Sequence, residues 1–343
     1  TSPIVDQAGY TEVGISVNTA NAFTDIDGDT LSYSATLNGS TLPSSWLAID
    51  SSTGVLSGTP LAGDAGDHSV VVTAGDASTS VSDSFALNIS VPQSVTSTGT
   101  VIDGPLANAR VFVDVDGDEV WDQGEDYTFT DANAQFTLTS SQIGDLVVTT
   151  SLETIDTLSG VSVPGLTLKA PKGAAVFSPM TTLLADLEAD GLSRADAQAK
   201  IKTAMGLSDI TDLDLMTFNP MGQGVSTADQ AKYLNANAQV VGALKTLASL
   251  VESSSSDSSV TETAVFDRGM GALMAKVKAS SGVVDLASDT VVSDLGATLK
   301  THYQNQNKID TTKFENGFNS AKVAIRQVNS AVKNITDYAD PDA

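Results

Sequence analysis

The chain has 343 residues, no cysteine, and 42 acidic side chains against 17 basic ones, for a formal charge of −25. Without cysteine there are no disulfides, thiolate metal sites or catalytic thiols. The charge excludes nucleic acid as a partner, because affinity there comes from Lys and Arg on phosphates, and it disfavours anionic membrane surfaces. Length and an ordinary 41% hydrophobic content predict two or three domains with substantial cores.

Residues 1–92 read as an all-β sandwich. Leu31, Tyr33, Ala35 and Leu37 alternate with polar residues, as do Phe85, Leu87, Ile89 and Val91, which is the period of a half-buried strand. Turn signals "DGD", "NGS" and "STG" divide the runs. "PQSVTSTG" at 92–99 reads as a linker. Residues 93–173 form a second, smaller sandwich of short apolar runs ("ARVFVDV", "YTFT", "QFTLTS", "DLVVTT") ending near "APKG". From 174 to 343 the period becomes helical. Val240, Leu244, Leu247 and Val251 share one face, and Phe266, Met270, Leu273 and Val277 another. Phe314, Phe318, Ala321, Ile325, Val328, Val332 and Ile335 form a heptad-like final stripe. Ser193 and Asp310 are N-cap candidates, and "ESSSSDSSV" is a helix–helix loop. The expected fold class is multidomain α+β: two sandwiches, then a bundle of five or six helices that packs with residues 93–173 as one unit. The apolar stretch 240–251 carries Lys245 and is too short to span a bilayer, so no direct membrane insertion is expected. No signal peptide opens the chain, and its abrupt start and "DYADPDA" ending read as a segment of something longer.

"DVDGDEVWDQGED" at 114–126 packs seven carboxylates into thirteen positions. Counted from Asp114, acids fall at loop positions 1, 3, 5, 9 and 12: Asp114, Asp116, Asp118, Asp122 and Glu125. These are ligand positions of a twelve-residue calcium loop, with the Val120 carbonyl at position 7. Position 6, usually glycine, is Glu119, and the flanks are strands, so the ligands follow the loop rule while the turn is expected to differ. A solvated acidic hairpin without metal is the alternative; the crowding of like charge weighs against it. "FTDIDGDTLSY" repeats the theme with Asp25, Asp27 and Asp29, and Asp76 is a fourth candidate, although Asp-Gly turns also occur without metal. Ca²⁺ is the expected cofactor.

Enzyme readings fare badly. His68 and His302 fall in different regions, and there is no G-x-S-x-G, Walker loop or H-E-x-x-H. "GMGALM" at 269–274 lacks the third glycine and the strand of a dinucleotide loop. Paired carboxylates leave glycosidase chemistry formally open, but calcium accounts better for their spacing.

"AFTDIDGDTLSYSATLNGSTLPSSWLAIDSSTGVLSGTP" with "VVTAGDASTSVSDSFALNI" resembles a dystroglycan-type cadherin-like domain. That resemblance implies that Trp46 and Leu47 are core and that Asp25, Asp27, Asp29 and Asp76 bind calcium. "GTVIDGPLANARVFVDVDGDEVWDQGEDYTFTDANAQFTL" is similar to the small adhesin sandwich of collagen-adhesin B or carboxypeptidase-regulatory type, with Ala134 in place of an expected glycine. "GLTLKAPKGAAVFSPMTTLLADL" is similar to the segment that follows this sandwich in large bacterial RTX-type adhesins. The resemblance implies an extracellular segment on a bacterial cell surface, beside neighbouring adhesin domains of the same chain, in cell adhesion and biofilm contexts. Two roles are then open: a calcium-dependent binder of a peptide or glycan on another cell, or a purely structural, calcium-rigidified spacer. A non-repeating helical annex favours the binder.

Overall fold

The computed structural model describes residues 2–76 and 78–338. The chain is a multidomain α+β protein that divides into two compact units, at Ser94/Val95. The last five residues, part of the "DYADPDA" ending, lie outside the described residues.

The first unit is a β-sandwich. One sheet orders β1 (Gln7–Tyr10), β8 (Ser80–Ser90), β7 (Gly66–Gly75), β3 (Ser32–Leu37) and β4 (Ser40–Thr41); the other orders β2 (Ile15–Asn18), β6 (Val55–Gly58) and β5 (Leu47–Ile49). The predicted alternation holds: Leu37 of β3 and Phe85, Leu87 and Ile89 of β8 lie in the core, with Tyr33 and Ala35 packed against it, and Val70, Val72 and Ala74 of β7, Trp46 and Leu47 complete it. Val91 is the exception: it lies past the end of β8 and is exposed. Gly58 shows why the "WL" and "SGTP" elements belong together. It pairs with Leu47, and a Cβ on it would stand 1.7 Å from the Trp46 carbonyl oxygen.

The second unit begins inside the expected linker. Thr96, Ser97 and Thr98 belong to β9 (Val95–Val101), which pairs along its length with β13 (Gln135–Ser140). Only residues 91–94 connect the units, because Thr at every second position from 96 to 100, with Val95 and Val101 at the ends, favours a strand. One sheet orders β12 (Tyr127–Phe129), β11 (Arg110–Asp114), β14 (Asp145–Thr149) and β16 (Thr167–Lys169); the other orders β13, β9 and β17 (Val176–Phe177). A short ribbon pairs β10 (Leu106–Ala107) with β15 (Ile155–Asp156). The last strand, β17, runs parallel to β9 beyond the expected limit at 173, so the sandwich passes into the helices without a break. Ala134, where glycine was expected, adopts the left-handed conformation itself (φ 60°), and β13 follows it.

Six helices follow among the described residues: α1 (Pro179–Ala189), α2 (Arg194–Ala204), α3 (Thr227–Ser253), α4 (Glu262–Ala279), α5 (Asp289–Asn305) and α6 (Thr311–Val332). Ser193 accepts a hydrogen bond from the Asp196 amide, and Asp310 from those of Thr312 and Lys313, as N-caps do. One continuous hydrophobic core runs from Val111 and Phe136 through Leu187 and Val240 to Phe266 and Leu295, so strands and helices share a single interior. The final stripe differs from expectation. Val328 is exposed; Asn329, four residues after buried Ile325, takes the inward position. Its amide donates to the carbonyls of Gln239 (3.2 Å) and Leu286 (3.0 Å), an inward polar residue that period counting over apolar residues passes by. No helix among the described residues is long and apolar enough to cross a membrane.

Candidate metal centre

The acidic segment leaves β11 at Asp114 and returns at β12. Asp114 ends the strand inside the fold, with its residue only 5% exposed. Its two carboxylate oxygens accept the amides of Gly117 (2.8 Å) and Glu119 (3.0 Å), winding the following residues around it. Asp116 accepts the Asp118 amide and Asp118 accepts the Val120 amide, so the turn repeats at two-residue steps. Each step brings another acid to the same point. Carboxylate oxygens of Asp114, Asp116 and Asp118 lie within 4.8 Å of one another, the one such group of three metal-type side chains among the described residues.

The donor chemistry fits calcium. All donors are hard oxygens, and two oxygens on one calcium ion can stand up to about 5 Å apart at the usual Ca–O length. Asp116 is held above the ordinary carboxylate pKa by desolvation and then by the charges of Asp118, Asp122 and Asp114, partly offset by the Asp118 amide; a cation would relieve that crowding.

Three predicted ligands, Glu125, Asp122 and Val120, stand outside the group. Glu125 is buried, but its oxygens accept the amides of Val115 (2.8 Å) and Asp122 (2.9 Å), clamping the loop shut. Asp122 lies close enough to raise Asp116 but does not join the three. The Val120 side chain is exposed. The position usually given to glycine keeps the turn: Glu119 has φ 64°, and Gly117 has φ 81°. Glu119 is needed elsewhere. Its carboxylate pairs with Lys169 of β16 at 2.7 Å, and Lys169 pairs with Asp186 of α1 at 2.9 Å. Burial works against the charge of Lys169, but both hydrogen bonds outweigh it and leave the pKa above its ordinary value. Beside them Asp267 of α4 accepts the Thr167 hydroxyl at 3.3 Å, and burial, then the charge of Glu119, pushes its pKa up to about 7. The loop is thus tied to the helices through Lys169.

The first unit does not assemble the expected second set. Asp25 accepts the amides of Asp27 and Asp29, and Asp76 those of Ser78 and Thr79; each closes its own turn. The four acids Asp25, Asp27, Asp29 and Asp76 do not gather into a group like that at 114–118.

Two further features of the second unit escape a reading of the sequence. Arg110, Phe112 and Asp114 share one face of β11, opposite Tyr127 and Phe129 of β12. The Arg110 guanidinium lies over the rings of Trp121 (4.3 Å), Tyr127 (5.4 Å) and Phe129 (5.6 Å). Alternation along β11 and β12 is the signal that could have found it. Asp103, in the turn after β9, is buried with one carboxylate oxygen unpartnered, and burial and then Asp156 push its pKa up to about 7. Nothing in its sequence neighbourhood announces this, because α3 and Asp156 are distant in the chain.

A family model described as "Putative Ig domain" matches residues 1–90, so the first unit is an Ig-like β-sandwich. No curated protein matches the chain. Solved structures similar to it include a SusE-like surface located polysaccharide binding protein from the Bacteroides thetaiotaomicron heparin utilisation locus (14% identity, 42% of this chain and 29% of that one, TM-score 0.22). A chimeric titin Z1Z2 is similar at 12% identity (43% of this chain, 86% of that one, TM-score 0.22). A structure described as a putative alpha-galactosidase from Bacteroides fragilis is similar at 23% identity over 26% of this chain (TM-score 0.20), and the chain covers 16% of its length.

Proposed function

We propose that this chain is a calcium-dependent binding module of a bacterial cell-surface adhesin, in which residues 95–343 capture a peptide or glycan on a neighbouring or host cell. The observation that carries the reading is the convergence of Asp114, Asp116 and Asp118 at the end of β11. An ion there would supply fixed positive charge and hold the loop closed. The chain's own residues do the rest: Glu125 clamps the loop by its amides, and Glu119 passes its position to α1 through Lys169. Support for an extracellular setting comes from the Ig-like first unit and the absence of cysteine. The cadherin-like and RTX character of the parent protein belongs to the same reading, on the motifs quoted above.

Thermal melts with calcium and with a chelator test it. Calcium should raise the melting temperature of the second unit, since a ligand at a hundredfold its Kd stabilises the native state by about 2.7 kcal/mol. Replacing Asp116 and Asp118 together with Asn should abolish that rise. A glycan and peptide array probed with and without calcium then separates binder from spacer. Calcium stabilisation with an empty array would leave the spacer role standing and overturn the binder.

A further inference from the structure

We infer that the Arg110–Trp121–Tyr127–Phe129 cluster is a binding site for an acidic saccharide, the uronate carboxylate pairing with Arg110 while pyranose faces stack on the aromatic rings. The inference rests on the binder reading and names the ligand class and the place.

Arg110 is the centre of the site. Its side chain makes no hydrogen bond and no ion pair among the described residues, in a chain with 42 carboxylates available. Its Nε is sealed from solvent without an acceptor. A ligand cannot reach that sealed atom, but the two terminal nitrogens of the planar guanidinium can bind a carboxylate by two parallel hydrogen bonds. The surroundings select the rest of the ligand. Tyr127 and Phe129 are 47% and 44% exposed, unusual for rings on a strand, and they stand edge to face at 5.7 Å. Electron-rich ring faces attract the partly positive C–H faces of a pyranose. A peptide added as a strand would need the open edge of this sheet, and edge strand β12 offers three residues. The side chains, not the edge, are what is presented.

The site is coupled to the acidic loop by Trp121. Its indole N–H donates to the Glu125 carbonyl at 3.2 Å, and its ring packs against Tyr127 at 5.2 Å while covering Arg110. Whatever orders the loop therefore also places the ring.

Trp121 is also the reporter. The other tryptophan, Trp46, is buried in the first unit and supplies a constant background. The full chain, in millimolar calcium, is titrated with a hyaluronan tetrasaccharide and with its carboxyl-reduced neutral counterpart, following tryptophan emission. The acidic sugar should give a saturable change and the neutral one should bind at least tenfold more weakly. Arg110→Gln should weaken the acidic sugar at least tenfold while keeping the calcium-induced rise in melting temperature, and Arg110→Lys, which keeps charge but loses the planar fork, should fall between. Equal binding by Arg110→Gln, equal binding of the neutral sugar, or no binding of either would overturn the site. Capture of an acidic peptide instead would overturn the ligand class. Saccharide binding that persists with Asp116 and Asp118 both replaced by Asn would leave this site intact and remove calcium from the proposed function.

Discussion

Asp103→Asn should stabilise residues 95–343 at pH 8 and change little at pH 4. The carboxyl is buried, pushed up to about 7 by desolvation, then by Asp156, with Lys245 partly offsetting. Tyr338 stands in the same field, its phenol pushed up to about 12 by burial and then by Asp103 and Asp156. In the unfolded chain Asp103 returns to the ordinary 3.8. Between those values the native state holds a proton that the unfolded state has lost, so stability is full below about 4 and falls as pH rises to about 7. At about 1.36 kcal/mol for each pH step of one, the rise corresponds to roughly 4 kcal/mol in all, of which about 3 is lost between pH 5 and pH 7. Asn carries no proton to lose, so the variant is spared that fall. Urea titrations at pH 5 and pH 8, with chelator present so that metal binding does not titrate alongside, measure the difference. The same pH dependence in variant and wild type would refute the assignment of a buried, unpaired carboxyl to Asp103.

Asp267, raised to about 7 by burial and Glu119, should contribute a pH dependence of similar size, so Asp267→Asn removes the remainder in the same urea series. Lys169→Met should cost roughly 2–3 kcal/mol in the second unit, because Glu119, Asp186 and Asp267 lose their shared cation; an unchanged urea midpoint would contradict the bridge. Gly58→Ala should destabilise the first unit by on the order of 3 kcal/mol or unfold it, since its Cβ would meet the Trp46 carbonyl, read as a lower midpoint for the Trp46 emission change in urea. Asn329→Leu should lower stability by about 1–3 kcal/mol by stranding the buried Leu286 carbonyl, which lies outside any helix, read as a lower midpoint in urea.

What can be read from the chain is whatever short-range periodicity encodes. Alternation in β3 and β8, the caps at Ser193 and Asp310, and two-residue spacing of Asp114, Asp116 and Asp118 are all local, and the structure realises each of them. Properties that depend on distant partners are not legible. Glu119 reads as a fault in a calcium loop because its partner Lys169 lies 50 residues on. Asp25 and Asp76 read as ligands because residue type at a given spacing does not say whether carboxylates from separate turns converge on one point. Asn329 escapes notice because apolar counting is blind to a polar group whose acceptors come from α3 and the segment before α5.

The charge of −25 would argue against an acidic ligand if every charge counted equally, but distance decides which ones do. At physiological ionic strength fields from exposed groups fade over a Debye length of about 8 Å, so most of the 42 carboxylates act on the rate of encounter. Contact is governed by what lies within a few ångströms, where Arg110 sits among rings that exclude water and lower the local dielectric. A cation on the adjacent loop would cancel part of the acidic charge of Asp114, Asp116 and Asp118. The crowded acids and the lone arginine are then two parts of one arrangement. If the acids hold a cation as proposed, the same loop that carries it also places Trp121 over Arg110, through the indole N–H on the Glu125 carbonyl.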